Sequence, residues 1–240
     1  MGTTAEKTPW LAKGEEKREE VRGMFADIAG SYDLVNSLIC LRMHHRWRRA
    51  AVRVIGLGVG ERALDVCTGT GDFLVPLMRA VGPGGTALGV DFCGPMLARA
   101  RTKFPGAGLA LGDACRLPLQ DGAFDGATVG WGLRNVPDVN AALKEVARVL
   151  RTGGRFVTLD MARPKNGFVG RVSEWAFHTV VPLVGRVFGK SRAYMYLPKS
   201  TLQFLTREEM KRAMEQAGFS DVRTRDFAFG NVCMHWGTKS

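Results

Sequence analysis

RALDVCTGTGDFLVPLMRAV (62–81) passes from a strand-like apolar run, 62–66, to a helical pattern, 72–81, through Gly69 and Gly71. Period-two alternation gives way to helical spacing, and Pro76 falls in the helix's first turns, where a missing amide is tolerated. Glycines at such a junction either make a tight turn or let a ligand approach the unpaired amides of a helix N-terminus. A dinucleotide fingerprint would place a third small residue at position 74, where this chain has Leu74. Asp65 and Asp72 would repel a pyrophosphate, and the loop carries no base to hold one.

Beyond this unit, strand-like runs at 86–91, 108–113, 124–131 and 154–160 alternate with helical runs at 94–104 and 139–150. Such alternation requires parallel strands joined by right-handed crossovers, with helices on both faces. The rhythm stops at 161–205, which is aromatic, basic and irregular; 206–219 then opens on a Thr-x-x-Glu capping box and closes at Gly218. VRTRDFAF (222–229) and VCMHWGTK (232–239) follow with no helix between them, which predicts an antiparallel hairpin. Residues 1–20 read as a frayed or loosely helical lead-in, and 21–55 as two or three short helices. The expectation is one α/β domain over 21–240: a Rossmann-like, seven-stranded sheet ending in an antiparallel hairpin, capped by 21–55 and by the insert 161–205.

Acids stand where this topology places a ligand. Asp91 ends the second strand 20 residues after Gly71, the spacing at which an acid accepts both hydroxyls of a ribose. Asp113 ends the third strand, where it could hold an adenine amino group, and Asp65 lies in the first. Acids in place of phosphate-binding amides suit a cationic adenosine derivative, S-adenosylmethionine. A parallel sheet finished by an antiparallel pair is likewise the class I methyltransferase version of the fold. Asp65, Gly69, Gly71, Asp91, Asp113 and Gly130 are therefore expected around the cofactor.

The chain has 240 residues, 34 Lys and Arg against 23 Asp and Glu, and a net charge of +11. Five arginines and no acid lie between Arg42 and Gly60, and six basic residues against Glu174 alone between Arg163 and Arg192. Such stripes suit nucleic acid or an anionic membrane surface, or they are solvated basic faces. The longest apolar run, 174–185, is broken by His178, Thr179 and Pro182 and is too short to span a bilayer. The N-terminus lacks the apolar core of a secretory signal, and Glu6 excludes myristoylation. Five scattered cysteines without a C-x-x-C pair argue against a zinc ribbon, a redox motif or a disulfide framework, and no metal is expected.

VGWGLRNVP (129–137) closes the fourth strand with two glycines flanking a tryptophan, a composition that suggests a molecule approaching the backbone. From Val21 to Lys239 the chain resembles the UbiE/MenG quinol C-methyltransferases. FADIAGSYDLVNSLICLRMHHRWRR (25–49), ALDVCTGTGDF (63–73) and the segment from Phe124 to Arg155 carry the likeness, with VVPLVGRVFGKSRAYMYLPKS (180–200) and MHWGTK (234–239). The resemblance implies methyl transfer from S-adenosylmethionine to a ring carbon of a polyprenyl hydroquinone, in menaquinone or ubiquinone synthesis, with menaquinone preferred. It places cofactor contacts at Thr70, Asp91, Asp113 and Ala114. Gly130 stands where the family often has Ser, leaving only a backbone contact. Cys40 and Arg42 replace the more usual Ser and Gly.

A hydroquinone carbon becomes nucleophilic when the neighbouring hydroxyl loses its proton, so the site needs a proton acceptor and a group to hold the phenolate. Arg134 suits the second task; its high pKa makes it a poor base. Tyr32 and Asp33 are candidates to orient the ring or take the proton, Asp33 alternatively capping a helix. His44 is a candidate base or a surface histidine, and His235 reads as structural. Trp131 either stacks on the ring or fills core, and Asn135 either bonds a substrate oxygen or satisfies its own turn. The insert would wall a tunnel for the prenyl tail or simply cap the sheet. The resulting expectation is a cytoplasmic enzyme peripherally associated with the inner face of the membrane, with homodimerisation left open. An RNA methyltransferase would need polar stacking clefts or a tethered binding module, which this chain does not offer. A non-catalytic cofactor-binding scaffold would be marked by loss of the acids, which this chain keeps.

Overall fold

The computed structural model describes residues 14–164, 170, 171, 175, 179, 183, 186 and 191–240. Three helices come first: α1 (Gly14–Ile28), α2 (Tyr32–Ile39) and α3 (His44–Ile55). Then follow β1 (Arg62–Val66), α4 (Leu74–Val81), β2 (Thr86–Asp91), α5 (Gly94–Lys103), β3 (Gly108–Leu111) and β4 (Phe124–Gly130). After a 3-10 turn at Leu133–Asn135 come α6 (Val139–Val149) and β5 (Leu150–Met161), and beyond the insert α7 (Ser191–Gln203), α8 (Arg207–Gln216), β6 (Phe219–Phe227) and β7 (Val232–Lys239).

The seven strands form one sheet in the order β3-β2-β1-β4-β5-β7-β6. The first five pair in parallel and β7 runs antiparallel between β5 and β6, so the expected hairpin is present. The strands are apolar on both sides because helices cover both faces. Leu64, Val129 and Phe156 pack with Leu143 and Val146 of α6 and Met214 of α8. Their alternating neighbours Ala63, Val157 and Leu159 pack with Trp47 and Ile55 of α3 and Leu77 of α4. Each such Leu, Val or Phe contributes roughly 1.5–3 kcal/mol by leaving water.

Local signals end the helices. Asp138 accepts from the Ala141 amide to cap α6, and Thr206 with Glu209 forms the expected capping box on α8. Gly56 closes α3 at φ 66°, the left-handed cap that glycine favours.

Two boundaries that bear on the site differ from the sequence reading. The helix begins at Gly14, so residues 14–20 are not a loose lead-in: Lys17 Nζ donates to the carbonyls of Arg134 and Val136 at 3.0 and 2.8 Å. Long-range contact, invisible in a charged heptad, orders this segment. β3 stops at Leu111, leaving Asp113 in an isolated bridge with Arg116. Most of the expected tunnel wall in 161–205, between 165 and 190, lies outside the described residues; of those described there, Arg171, Trp175, Thr179, Leu183 and Arg186 are exposed.

Candidate active site

At the carboxyl ends of β1, β2 and β4 the chain encloses two cavities that share Tyr32 and Trp131 as walls. The first is lined by Gly69, Asp91, Asp113, Ala114, Gly130 and Asn135. Phe92 and Met96 add an apolar flank. Gly69, at φ 56°, has nothing within 4 Å of where a Cβ would stand, so its backbone is open on that side. Its amide donates to Asp91 Oδ2 at 2.8 Å, and the Cys93 amide donates to Oδ1 at 2.9 Å. Burial outweighs these bonds and raises the Asp91 carboxyl to about 6. Asp113 accepts from the Cys115 amide at 2.9 Å and faces Arg18 at 3.5 Å. Arg18 comes from the stretch read as a lead-in.

Three residues expected at the cofactor lie off this wall. Asp65 is buried inside the sheet, where it accepts from Thr68 Oγ1 at 2.6 Å and Thr128 Oγ1 at 2.7 Å. Burial holds its carboxyl up at about 7, and it ties β1 to β4 and to its own loop. Thr70 turns its hydroxyl away to donate to Asp33 Oδ1 at 2.5 Å. Gly71, at φ 84°, is packed against Phe104, Ala100 and Leu74.

The second cavity is lined by Tyr32, His44, Trp47, Arg134, Met161 and Leu197, among others. Arg134 is buried and ion-paired through Nη1 with Asp160, also buried. Asp160 Oδ2 accepts from the Arg134 amide at 3.3 Å, Arg134 Nη1 donates to the Trp131 carbonyl at 3.0 Å, and Nε is left without a protein partner. A buried guanidinium with a spare donor suits an oxygen anion. Tyr32 is neutral, its phenol raised by burial.

The proposed proton acceptors sit differently from expectation. His44 is buried, its Nδ1 against the Arg48 guanidinium and its Nε2 3.3 Å from Ser37 Oγ. Because a guanidinium can only donate, Nδ1 accepts and the ring proton resides on Nε2. Burial and Arg48 lower its pKa to about 4, so the ring is neutral, but its lone pair is engaged. It is neither a surface histidine nor a free base. Asp33 neither caps α2, whose N-cap is Ser31, nor lines either cavity. Its carboxylate pairs with Lys103 at 2.7 Å; Lys103 continues to Asp72 at 2.7 Å, and Asp72 to Arg48 at 3.2 Å. Asn135 spends both ends of its amide internally, donating to the Trp131 carbonyl at 2.9 Å and accepting from Tyr196 at 3.1 Å. His235 is structural as expected: buried, with Nε2 3.2 Å from the Arg207 carbonyl.

The two glycines of GWG have a different reason from ligand approach. A Cβ at Gly130 would stand 2.5 Å from Phe73 Cε2, and one at Gly132 would run into Cys67. Protein packing demands them. Trp131 between them takes φ 57° and lies beneath Arg48, 4.8 Å from its ring centre, beside Trp47. Sequence reasoning missed Arg18, Arg48, Lys103 and Asp160. Of these only Asp160 carries a local signal, an acid closing a strand as Asp91 does.

The chain matches the ubiE/COQ5 methyltransferase family over residues 12–239. It is 40% identical over 233 residues to the demethylmenaquinone methyltransferase of Staphylococcus saprophyticus, covering 95% of this chain and 100% of that one. The enzyme of the same name from Staphylococcus aureus matches at 40%, with 97% of its length covered. Among solved structures, a Thermotoga maritima methyltransferase described as a possible histamine N-methyltransferase superposes with TM-score 0.66 at 24% identity, over 92% of this chain and 100% of that one. A Haloferax volcanii putative methyltransferase, solved with its Trm112 activator, gives 0.64 at 17%, over 89% and 96%. These two share the seven-stranded fold. By the match along nearly its whole length, this chain belongs to the ubiE/COQ5 methyltransferase family.

Proposed function

We propose that the protein transfers a methyl group from S-adenosylmethionine to a ring carbon of demethylmenaquinol, yielding menaquinol. The observation that carries this reading is the pair of cavities meeting at Tyr32 and Trp131: one with acids at its wall, one apolar with a buried guanidinium. The relatives' name supports the naphthoquinol ring over the benzoquinol.

The first cavity fits the cofactor by the chemistry of its donors: Asp91 and Asp113 for hydroxyl and amino groups, the open backbone at Gly69, and an apolar flank at Phe92 and Met96. When bound, the cofactor supplies a methyl made electrophilic by its sulfonium. Arg134, held by Asp160, stabilises the quinol oxygen as its proton leaves, which raises electron density on the neighbouring carbon. Tyr32 and Trp131 orient the ring and exclude water. On methyl transfer the bound cofactor would leave as its neutral thioether, and the ring carbon's proton would pass to water, so that one proton is released for each methyl group.

The helices α1 to α3 and the insert act as the substrate's cap over a single catalytic domain. Among the described residues no helix is long and apolar enough to cross a membrane. Because a polyprenyl tail resides in the bilayer, the enzyme works at the membrane's inner face as a peripheral protein. Incubation with S-adenosylmethionine and reduced demethylmenaquinone tests the reading: menaquinol forms with the natural protein and falls to background with Arg134→Ala. No transfer by the natural protein would sink it.

A further inference from the structure

Two short segments flank the second cavity, and each presents a large apolar side chain to solvent from left-handed backbone. Leu41, on the cavity's wall, has φ 45° and is 80% exposed, and Arg42 follows at φ 58°. Ala228 and Asn231 line the same cavity, and Phe229 between them has φ 56° and is 75% exposed. Residues with a Cβ avoid this region, so surrounding structure must impose it. Here it imposes an outcome that water opposes, an apolar group held outward. Leu34, Leu38 and Met43 extend the exposed apolar surface on the α2 side.

Cations border this surface. Arg42, Arg46, Arg49, Arg53 and Arg79 line a groove between α3 and α4. All five are exposed, and none forms an ion pair among the described residues. The groove's single acid, Asp72, is already held by Arg48 and Lys103. Apolar anchors beside uncompensated arginines match a bilayer of anionic lipid, in which side chains enter the acyl boundary while guanidinium groups meet headgroups.

We propose that Leu41 and Phe229 are membrane anchors beside the quinol cavity, with Arg42, Arg46 and Arg49 binding anionic headgroups. The inference rests on the quinol reading above and deepens it: a cavity opened against the bilayer receives the prenyl tail without exposing it to water.

The test is co-sedimentation of the full chain with phosphatidylglycerol or phosphatidylcholine vesicles. Phe229→Gly and Leu41→Gly remove the anchors at positions whose backbone glycine favours, so both should fold, as circular dichroism would show. The natural protein should partition onto phosphatidylglycerol at least tenfold more strongly than onto phosphatidylcholine, and each glycine variant should lose about tenfold. Arg46→Gln with Arg49→Gln should lower binding to phosphatidylglycerol alone, steeply with salt. Phe229→Gly should still turn over a short-chain, water-soluble quinol at the natural rate.

Equal binding of natural protein and glycine variants, no preference for anionic vesicles, or RNA binding without vesicle binding would overturn the proposal. Turnover of the short-chain quinol without vesicle binding would remove the docking surface and leave the proposed function standing. Vesicle binding that depends on both anchors, with no quinol turnover, would keep the surface and remove the quinol.

Discussion

Arg134 and Asp160 form a buried ion pair between the turn after β4 and the end of β5, and the same carboxylate also accepts the backbone amides of Arg134 and Met161. One acid thus orients both the guanidinium and the turn that carries it. Replacing it with a neutral group leaves a charge buried without its counterpart, which costs roughly 3–5 kcal/mol. Asp160→Asn should lower the unfolding free energy by about that amount in urea titrations. Its kcat should fall by more than its KM rises, because the guanidinium loses its fixed direction.

Asp91 should govern cofactor affinity rather than the quinol's. Hydrogen bonds to a charged group contribute roughly 1.5–3 kcal/mol, tenfold to hundredfold in dissociation constant. Asp91→Ala should weaken S-adenosylmethionine binding by that factor in calorimetry, with the KM for quinol little changed.

Gly130→Ser would install the residue its family often carries, yet here the new Cβ meets Phe73 Cε2 at 2.5 Å. Overpacking of this kind costs roughly 1–3 kcal/mol. Thermal melting should show the loss, and Phe73→Leu in the same chain should recover most of it. If the single variant melts at the natural temperature, Phe73 is not what requires glycine.

His235 should shape the acid limb of stability. Burial lowers its folded pKa to about 4, below the ordinary 6.5, so the unfolded chain takes up the proton first as pH falls. The neutral ring's contribution is complete above pH 6.5 and is lost as pH drops toward 4, a span of about 3 kcal/mol. His235→Gln, which still offers a donor to the Arg207 carbonyl, should flatten the dependence of unfolding free energy on pH across that window.

His44 should not appear as the base in the pH–rate profile. With Nδ1 occupied by Arg48 and its pKa near 4, no limb at pH 6.5 is expected from it. His44→Gln should leave the profile's shape unchanged above pH 5, even if the rate falls through altered packing around Arg48.

The alternation from Arg62 to Met161, the capping box at Thr206 and the final hairpin were legible in the residues, because period, caps and turn chemistry act over a few neighbours. Asp91, Asp113 and Gly69 could be placed at the first cavity for the same reason, since a strand end fixes where its last side chains emerge. The charge chain running from Asp33 through Lys103 and Asp72 to Arg48 could not, because its members lie on α2, α5, the β1–α4 loop and α3. Nor could the reason for Gly130 and Gly132, whose neighbours Phe73 and Cys67 come from another strand's loop.

The sequence by itself determined the sheet, the edge at which its cavities open and the family, because these follow from local periodicity and from motifs in order along the chain. Only the tertiary structure decided which polar groups are free to act. Whether Thr70, Asp33, His44 and Asn135 face a ligand or one another depends on partners that packing brings from distant segments, and a buried polar group takes the partner that packing supplies.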